Sequence, residues 1–213
     1  MGLGLLAVVR ATTVVPPSFD ELVRDSELIF RGRVTAVKSD WSGEGKRRAP
    51  ATWVTFAVER TLRGSVGETI TLEFMGGEVG QKRLVLAGWP KFAVGDRGVF
   101  FVENREGRVC PLMRLRHGKY RIVGEGGGGS AGARANAEAQ GGAVGDERVW
   151  RDDGTPLRAV AEVGAVLGER APAGAVPTAA AAGAGNGGLT VAEFEAQIAA
   201  RSAQLPRKDE VMR

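Results

Sequence analysis

The sequence predicts a mainly β protein, a small antiparallel barrel or sandwich of about five to eight strands over residues 12–123. Three observations predict it. In the stretch from Trp53 to Gly64, Val54, Phe56, Val58 and Leu62 share one parity, and Thr55, Glu59 and Thr61 the other. That is the pattern of a half-buried strand. Beyond Gly64 and Gly67 the alternation resumes with Ile70, Leu72 and Phe74, so the two runs read as a β-hairpin. Val99 to Glu103 is apolar on both parities, which predicts a central strand.

The other elements follow in chain order. Leu3 to Val9 is a short apolar run, and Val9-Arg10-Ala11 supplies small residues at the −3 and −1 positions of a cleavage site. Residues 1–11 therefore read as the remnant of a signal peptide cut after Ala11. A start placed too far downstream accounts for the missing basic segment. Pro16-Pro17 excludes a helix and holds Val15 extended. Ser18-Phe19-Asp20-Glu21 is a capping box that opens a short helix ending near Asp25. Leu28 to Val37 alternates and predicts the first strand, with Leu28, Phe30, Val34 and Ala36 on one side and a bulge or bend at Gly32. Trp41 to Ala51 reads as a polar loop, and Gly76 to Gly80 as a turn. Lys82 to Ala87, Arg108 to Arg116 and Lys119 to Val123 read as further strands.

After Val123 the composition changes. Residues 124–188 form a Gly/Ala-rich, low-complexity region. Within it Arg148 to Arg151 predicts a short strand, Asp152-Asp153-Gly154 a turn, and Pro156 to Leu167 a weak helical pattern. Residues 189–213 hold a final helix and tail. Thr190-Val191-Ala192-Glu193 caps the helix, and Val191, Phe194, Ile198 and Leu205 share one face. An isolated helix this short is marginal in water, so the apolar stripe predicts that it docks on the β domain.

Charge is uneven along the chain. Residues 1–124 carry 20 Lys/Arg and 13 Asp/Glu, and the remainder 9 and 12. A basic body fits an anionic partner, although solvated arginines need no ligand. The basic and aromatic residues Arg31, Arg33, Trp41, Lys46, Arg47 and Arg48 are the candidate ligand contacts, with Trp53, Trp89 and Tyr120 as further aromatics. No stretch is long and apolar enough for a membrane-spanning helix.

Residues with catalytic or metal chemistry are few. His117 is the one histidine and Cys110 the one cysteine, short of the three or four ligands of a zinc site. A Cys-His dyad is the other reading of this pair. The carboxylates are scattered, the serine elbow and the paired-histidine zinc helix are missing, and Gly76 to Gly80 lacks the Lys-Ser/Thr ending of a phosphate loop. No cofactor, metal or catalytic residue is assigned.

The stretch from Thr12 to Val123 resembles a family of secreted bacterial proteins of unassigned function. The resemblance rests on Ala11 to Pro17, Phe19-x-x-Leu22-Val23, Ile29 to Thr35, Val58-Glu59-x-x-Leu62-x-Gly64, Phe92-x-Val94-Gly95 and Gly118 to Arg121. More distantly, the order of elements is similar to the OB-like barrels of the netrin-like and tissue-inhibitor-of-metalloproteinases class. The first resemblance implies export to the periplasm or exterior, and the second an OB-like fold. The zinc-ligating N-terminal cysteine of those inhibitors has no counterpart here, so their mechanism does not transfer.

The leading functional expectation is a secreted, non-enzymatic binding domain with a protein or polymer partner. The alternatives are a protease-associated or hydrolase-type protein and OB-like binding of nucleic acid or polysaccharide. Nucleic acid is the less favoured of those two ligands.

Overall fold

The structure is a computed structural model, and it describes residues 16–45, 48–106, 109–124, 147–163 and 188–206. The predicted cleavage segment, Lys46, Arg47 and most of both glycine-rich tracts lie outside the described residues.

Helix α1 (Phe19–Asp25) begins at the predicted capping box: the Ser18 hydroxyl accepts from the Glu21 amide, and the Ser18 amide donates to the Glu21 carboxylate. The strands β1 (Leu28–Ser42), β2 (Ala49–Arg63), β3 (Thr69–Met75), β4 (Gly77–Val79), β5 (Lys82–Leu84), β6 (Arg97–Val102), β7 (Lys119–Val123) and β8 (Arg148–Arg151) follow. Helix α2 (Val191–Gln204) comes last and repeats the capping box with Thr190 and Glu193. The order in the main sheet is β3-β2-β1-β6-β7-β8, antiparallel throughout. Two three-stranded meanders thus meet at a β1–β6 seam. The sheet does not close, and β3 and β8 form its edges.

The seam strands are buried on both faces. Ile29, Val99 and Phe101 join one core, and Leu28, Phe30, Phe100 and Val102 the other. The first core is roofed by Phe19, Leu22 and Val23 of α1 and by Val191, Phe194 and Ile198 of α2. The Phe194 ring lies 5.1 Å from Tyr120, 6.0 Å from Phe19 and 6.2 Å from Phe101. The predicted docking of the last helix is therefore present, and this core is built from both ends of the chain. In the second core Phe56 is the hub, 4.7 Å from Phe100, 5.5 Å from Phe30 and 5.6 Å from Phe92.

Strands β1 and β2 stay paired over their full length because three register shifts bend them. One falls at Gly32, where a side chain would press within 2.7 Å of the Ala57 carbonyl oxygen. The shift after Val34 moves Ala36 opposite Thr55, off the core face where alternation had placed it. Leu62 likewise packs on the helix-side core, whereas Val54 and Phe56 face the other.

Five expectations need correction. The loop between β1 and β2 is shorter than Trp41 to Ala51, because the strands run to Ser42 and resume at Ala49. Gly77 to Val79 is a strand rather than a turn and pairs with Lys82 to Leu84, where the predicted strand stops. The glycine serves a close approach there, since a Cβ on Gly77 would sit 2.6 Å from Thr52 Oγ1. In place of the predicted strand, the described residues from Val109 form one bridge, Leu112 to Val102, and then a 3-10 turn at Leu115–Gly118. Of the helical pattern predicted for Pro156 to Leu167, the described residues, which stop at Val163, form one 3-10 turn at Val160–Glu162.

Replacing Phe56 by Ala should cost about 3–5 kcal/mol in urea melts, the usual loss for a buried aromatic. Thr55→Ala, which removes a 2.9 Å contact to the Thr71 hydroxyl on the outer face, should cost under about 1 kcal/mol. Equal losses would show that the two faces of β2 are not differently packed.

Candidate functional site

The predicted contact residues separate into two groups. Arg31 belongs to an ion-pair network under α2. Its guanidinium reaches Glu195 at 2.8 Å and Glu59 at 3.1 Å, and Arg60 reaches the second Glu195 oxygen at 2.7 Å. Glu195 is 5% exposed. Arg97 grips Glu59 with two 2.7 Å bonds and also pairs with Glu147. Arg33 is exposed, with a long 3.5 Å approach to the Gly95 carbonyl. Trp41 and Arg48 lie at the far end of the β1–β2 hairpin, the guanidinium 5.1 Å from the ring centroid. Ten residues of strand separate Arg31 from Trp41, roughly 33 Å, so the described members of this set do not line one surface.

Cys110 and His117 are not brought together either. Cys110 packs against the second core, and burial pushes its thiol up to about 11. His117 stands beside Tyr120 and Val163, which belong to the helix-side core. A thiol held protonated in an apolar setting is a poor nucleophile.

A concavity lined by charged and polar side chains lies at the start of β7. Arg116 and His117 from the preceding turn, Lys119 and Tyr120 from β7, and Arg151, Asp152 and Asp153 from β8 and its turn surround a polar pocket of about 30 Å³, with Val163 closing one side. Lys119 is 4% exposed. Its ammonium pairs with Asp152 at 3.0 Å, donates to the Lys91 carbonyl, and sits 4.6 Å from the Phe92 ring centroid. A lysine this buried needs such partners. Asp153 is tied to its own turn, accepting from the Thr155 amide at 2.9 Å and hydroxyl at 2.7 Å.

The turn that carries Arg116 and His117 is strained. Arg114 and Leu115 both have positive φ, 44° and 64°, a conformation unfavourable for side chains with a Cβ. Gly118 completes the turn where a Cβ would meet the Phe101 carbonyl oxygen at 2.7 Å and the Met113 amide at 2.8 Å. Burial holds the His117 pKa below its ordinary value, and the nearby Arg116 and Arg151 push it further down against Asp153. Burial likewise raises the Tyr120 phenol, so it keeps its proton.

A larger groove of about 690 Å³ lies between Leu62–Gly64 and the end of α2. Arg63 there donates to the Ser202 and Leu205 carbonyls, which caps the helix end. Among the described residues no group of three or more His, Cys, Asp or Glu could hold a metal ion. No described helix is long and apolar enough to cross a membrane. No family model, curated protein or solved structure matches the chain.

Sequence reasoning placed His117 and Tyr120 among the residues of interest but did not join them to β8. The signals were a lysine inside a strand pattern and the Asp152-Asp153-Gly154 turn.

The ion pairs give a pH prediction. Burial raises the Glu59 carboxyl, but the Arg97 hydrogen bond and the charges of Arg97, Arg31 and Arg33 outweigh it, and the net value lies below the ordinary one. A depressed folded pKa contributes stability above about 4.3, the unfolded value, and loses it as the pH falls through the folded value. The urea midpoint should fall on acidification below about pH 4.5, and Glu59→Gln should flatten that fall while lowering stability at neutral pH. An unchanged acid limb in the variant would remove Glu59 from the linkage.

Proposed function

We propose that this protein is an exported, non-catalytic binding module whose contact site is the polar pocket between the Arg114–Gly118 turn and β8. The observation that carries the reading is the preformed, strained turn. Backbone strain of this kind persists where the surrounding fold over-determines it and clusters at ligand sites. Arg116 and His117 are held beside the buried Lys119–Asp152 pair in consequence. The two reactive side chains support binding over catalysis, since Cys110 is partly buried against one core and His117 stands by the other. Export rests on the apolar run before Ala11 and on the resemblance of Thr12 to Val123 to secreted bacterial proteins. A protein or polymer partner presenting a small polar group would satisfy the pocket.

Screening a panel of small acids, amines and neutral sugars by amide chemical-shift mapping tests the proposal. Shifts should concentrate at residues 114–120 and 150–153, and no ligand should be turned over. Shifts confined to the Trp41–Arg48 hairpin end would transfer the site there. Ester or peptide hydrolysis lost in both Cys110→Ser and His117→Ala would replace binding by catalysis.

A further inference from the structure

We infer that β3 is the contact edge of a reversible homodimer, in which two copies of this chain pair their β3 strands antiparallel about Thr71. The pairing is independent of the pocket, because β3 and β8 lie at opposite ends of the strand order.

The two edges of the sheet are treated differently. The outer side of β8 is covered: Val149 bonds to Leu189 and Leu157, and the Arg151 amide donates to the Thr155 carbonyl. Strand β8 is also short and has an arginine at each end. Strand β3 has none of these devices. Its 7 residues, Thr69–Met75, include no lysine, arginine or proline, and its register with β2 has no shift. An edge of this length without such protection is a template for a further strand.

The backbone fixes the register. Successive residues of a strand direct their amides and carbonyls to opposite sides. The Gly76 amide donates inward to Pro50 of β2, and the Met75 amide donates outward to the Val109 carbonyl. Thr69, Thr71 and Glu73 therefore point their backbone groups outward, where they have no backbone partner among the described residues. Val109 takes the Met75 end, so the open set is centred on Thr71. A two-fold axis there sets Thr71 against Thr71 of the second copy and Thr69 against Glu73 of the second copy. Each such pair exchanges two backbone bonds. The same register brings Met75 opposite Gly67 of the second copy, a residue with open space around it.

A two-fold contact requires one strand to be complementary to itself, and the side chains of β3 meet that condition. Ile70 and Leu72 both face the second core, and Ile70 is partly buried there. In this register Ile70 of each copy stands opposite Leu72 of the other, so the second core continues across the axis. On the outer face the Thr71 hydroxyl lies 2.9 Å from that of Thr55, and Glu73 accepts from Ser42. Glu73 is the one charged residue of the strand. It falls opposite a threonine, so no like charges face each other.

Light scattering on the full chain, from low micromolar to near-millimolar concentration, tests the pairing. The mass should rise toward that of a dimer, and the amides of Thr69, Thr71 and Glu73 should exchange more slowly as it does. Thr71→Lys changes an exposed side chain and sets like charges face to face across the axis, so it should weaken the dimer by about tenfold or more. Thr71→Glu should do the same. Mixing the two variants should restore a dimer, which unfolded variants could not do. Two folded variants that fail to associate when mixed would overturn the pairing about Thr71. A wild-type chain that is monomeric at every concentration would overturn the dimer itself. A dimer that keeps its affinity in both variants would also overturn the inference, placing the contact on another surface.

Discussion

Ile29 and Phe30 are neighbours in the chain and are buried on opposite faces of the same strand. Strand β6 repeats the constraint with Val99 and Phe101 on one side and Phe100 and Val102 on the other. An antiparallel sheet can leave one face to water, but this seam cannot. Both faces must be covered, and the chain covers them differently. The helix side takes α1 from before the sheet and α2 from after it. The opposite side takes Phe92 from the loop ahead of β6 and the Cys110–Leu112 segment behind it. Removing α2 would take Phe194 out of the core and uncover Phe19, Phe101 and Tyr120, so the last helix belongs to the same core as the first.

Glu195 sets how α2 lies on that core. A buried carboxylate is unfavourable unless its partners are well placed, and here each oxygen meets a different arginine, Arg31 from β1 and Arg60 from β2. Apolar packing by Phe194 and Ile198 supplies attraction with little directional preference. The two ion pairs add direction, because a rotation or slide of the helix would leave Glu195 buried without them. The same commitment explains why Arg31 is a poor ligand contact. Its guanidinium already bridges Glu195 and Glu59, and recruiting it would loosen the helix.

Much of this architecture was legible in local pattern. Both helices begin where a Ser or Thr stands three residues before a Glu, and the central hairpin follows the alternation of Val54, Phe56, Leu72 and Phe74. The two-sided run at Val99 marked the sheet centre. What failed was long-range. Gly77 read as part of a turn because its real constraint, the nearness of Thr52 and Ser39, comes from other strands. Alternation could not show the register shift that takes Ala36 off the core face. The basic–aromatic set looked contiguous only in sequence, because a long strand carries Arg31 and Trp41 far apart. The pocket was hidden for the converse reason: Lys119 and Asp152 are distant in the chain and adjacent in space.

The pocket is also a consequence of how β7 begins. Tyr120 pairs with Val99 and packs into the helix-side core, while its neighbour Lys119 pairs with Phe100 on the other parity and reaches Phe92. Alternation thus forces a lysine toward an aromatic core, where an unpaired ammonium would be costly. The Lys91 carbonyl and Asp152 resolve that cost. Recruiting Asp152 fixes the β8 turn beside the Arg114–Gly118 turn, and the space left between the two turns is the polar pocket. Its cationic rim therefore stands on a packing solution already required by the fold. The rim can vary in charge without disturbing the core beneath it, which is compatible with the proposed binding role.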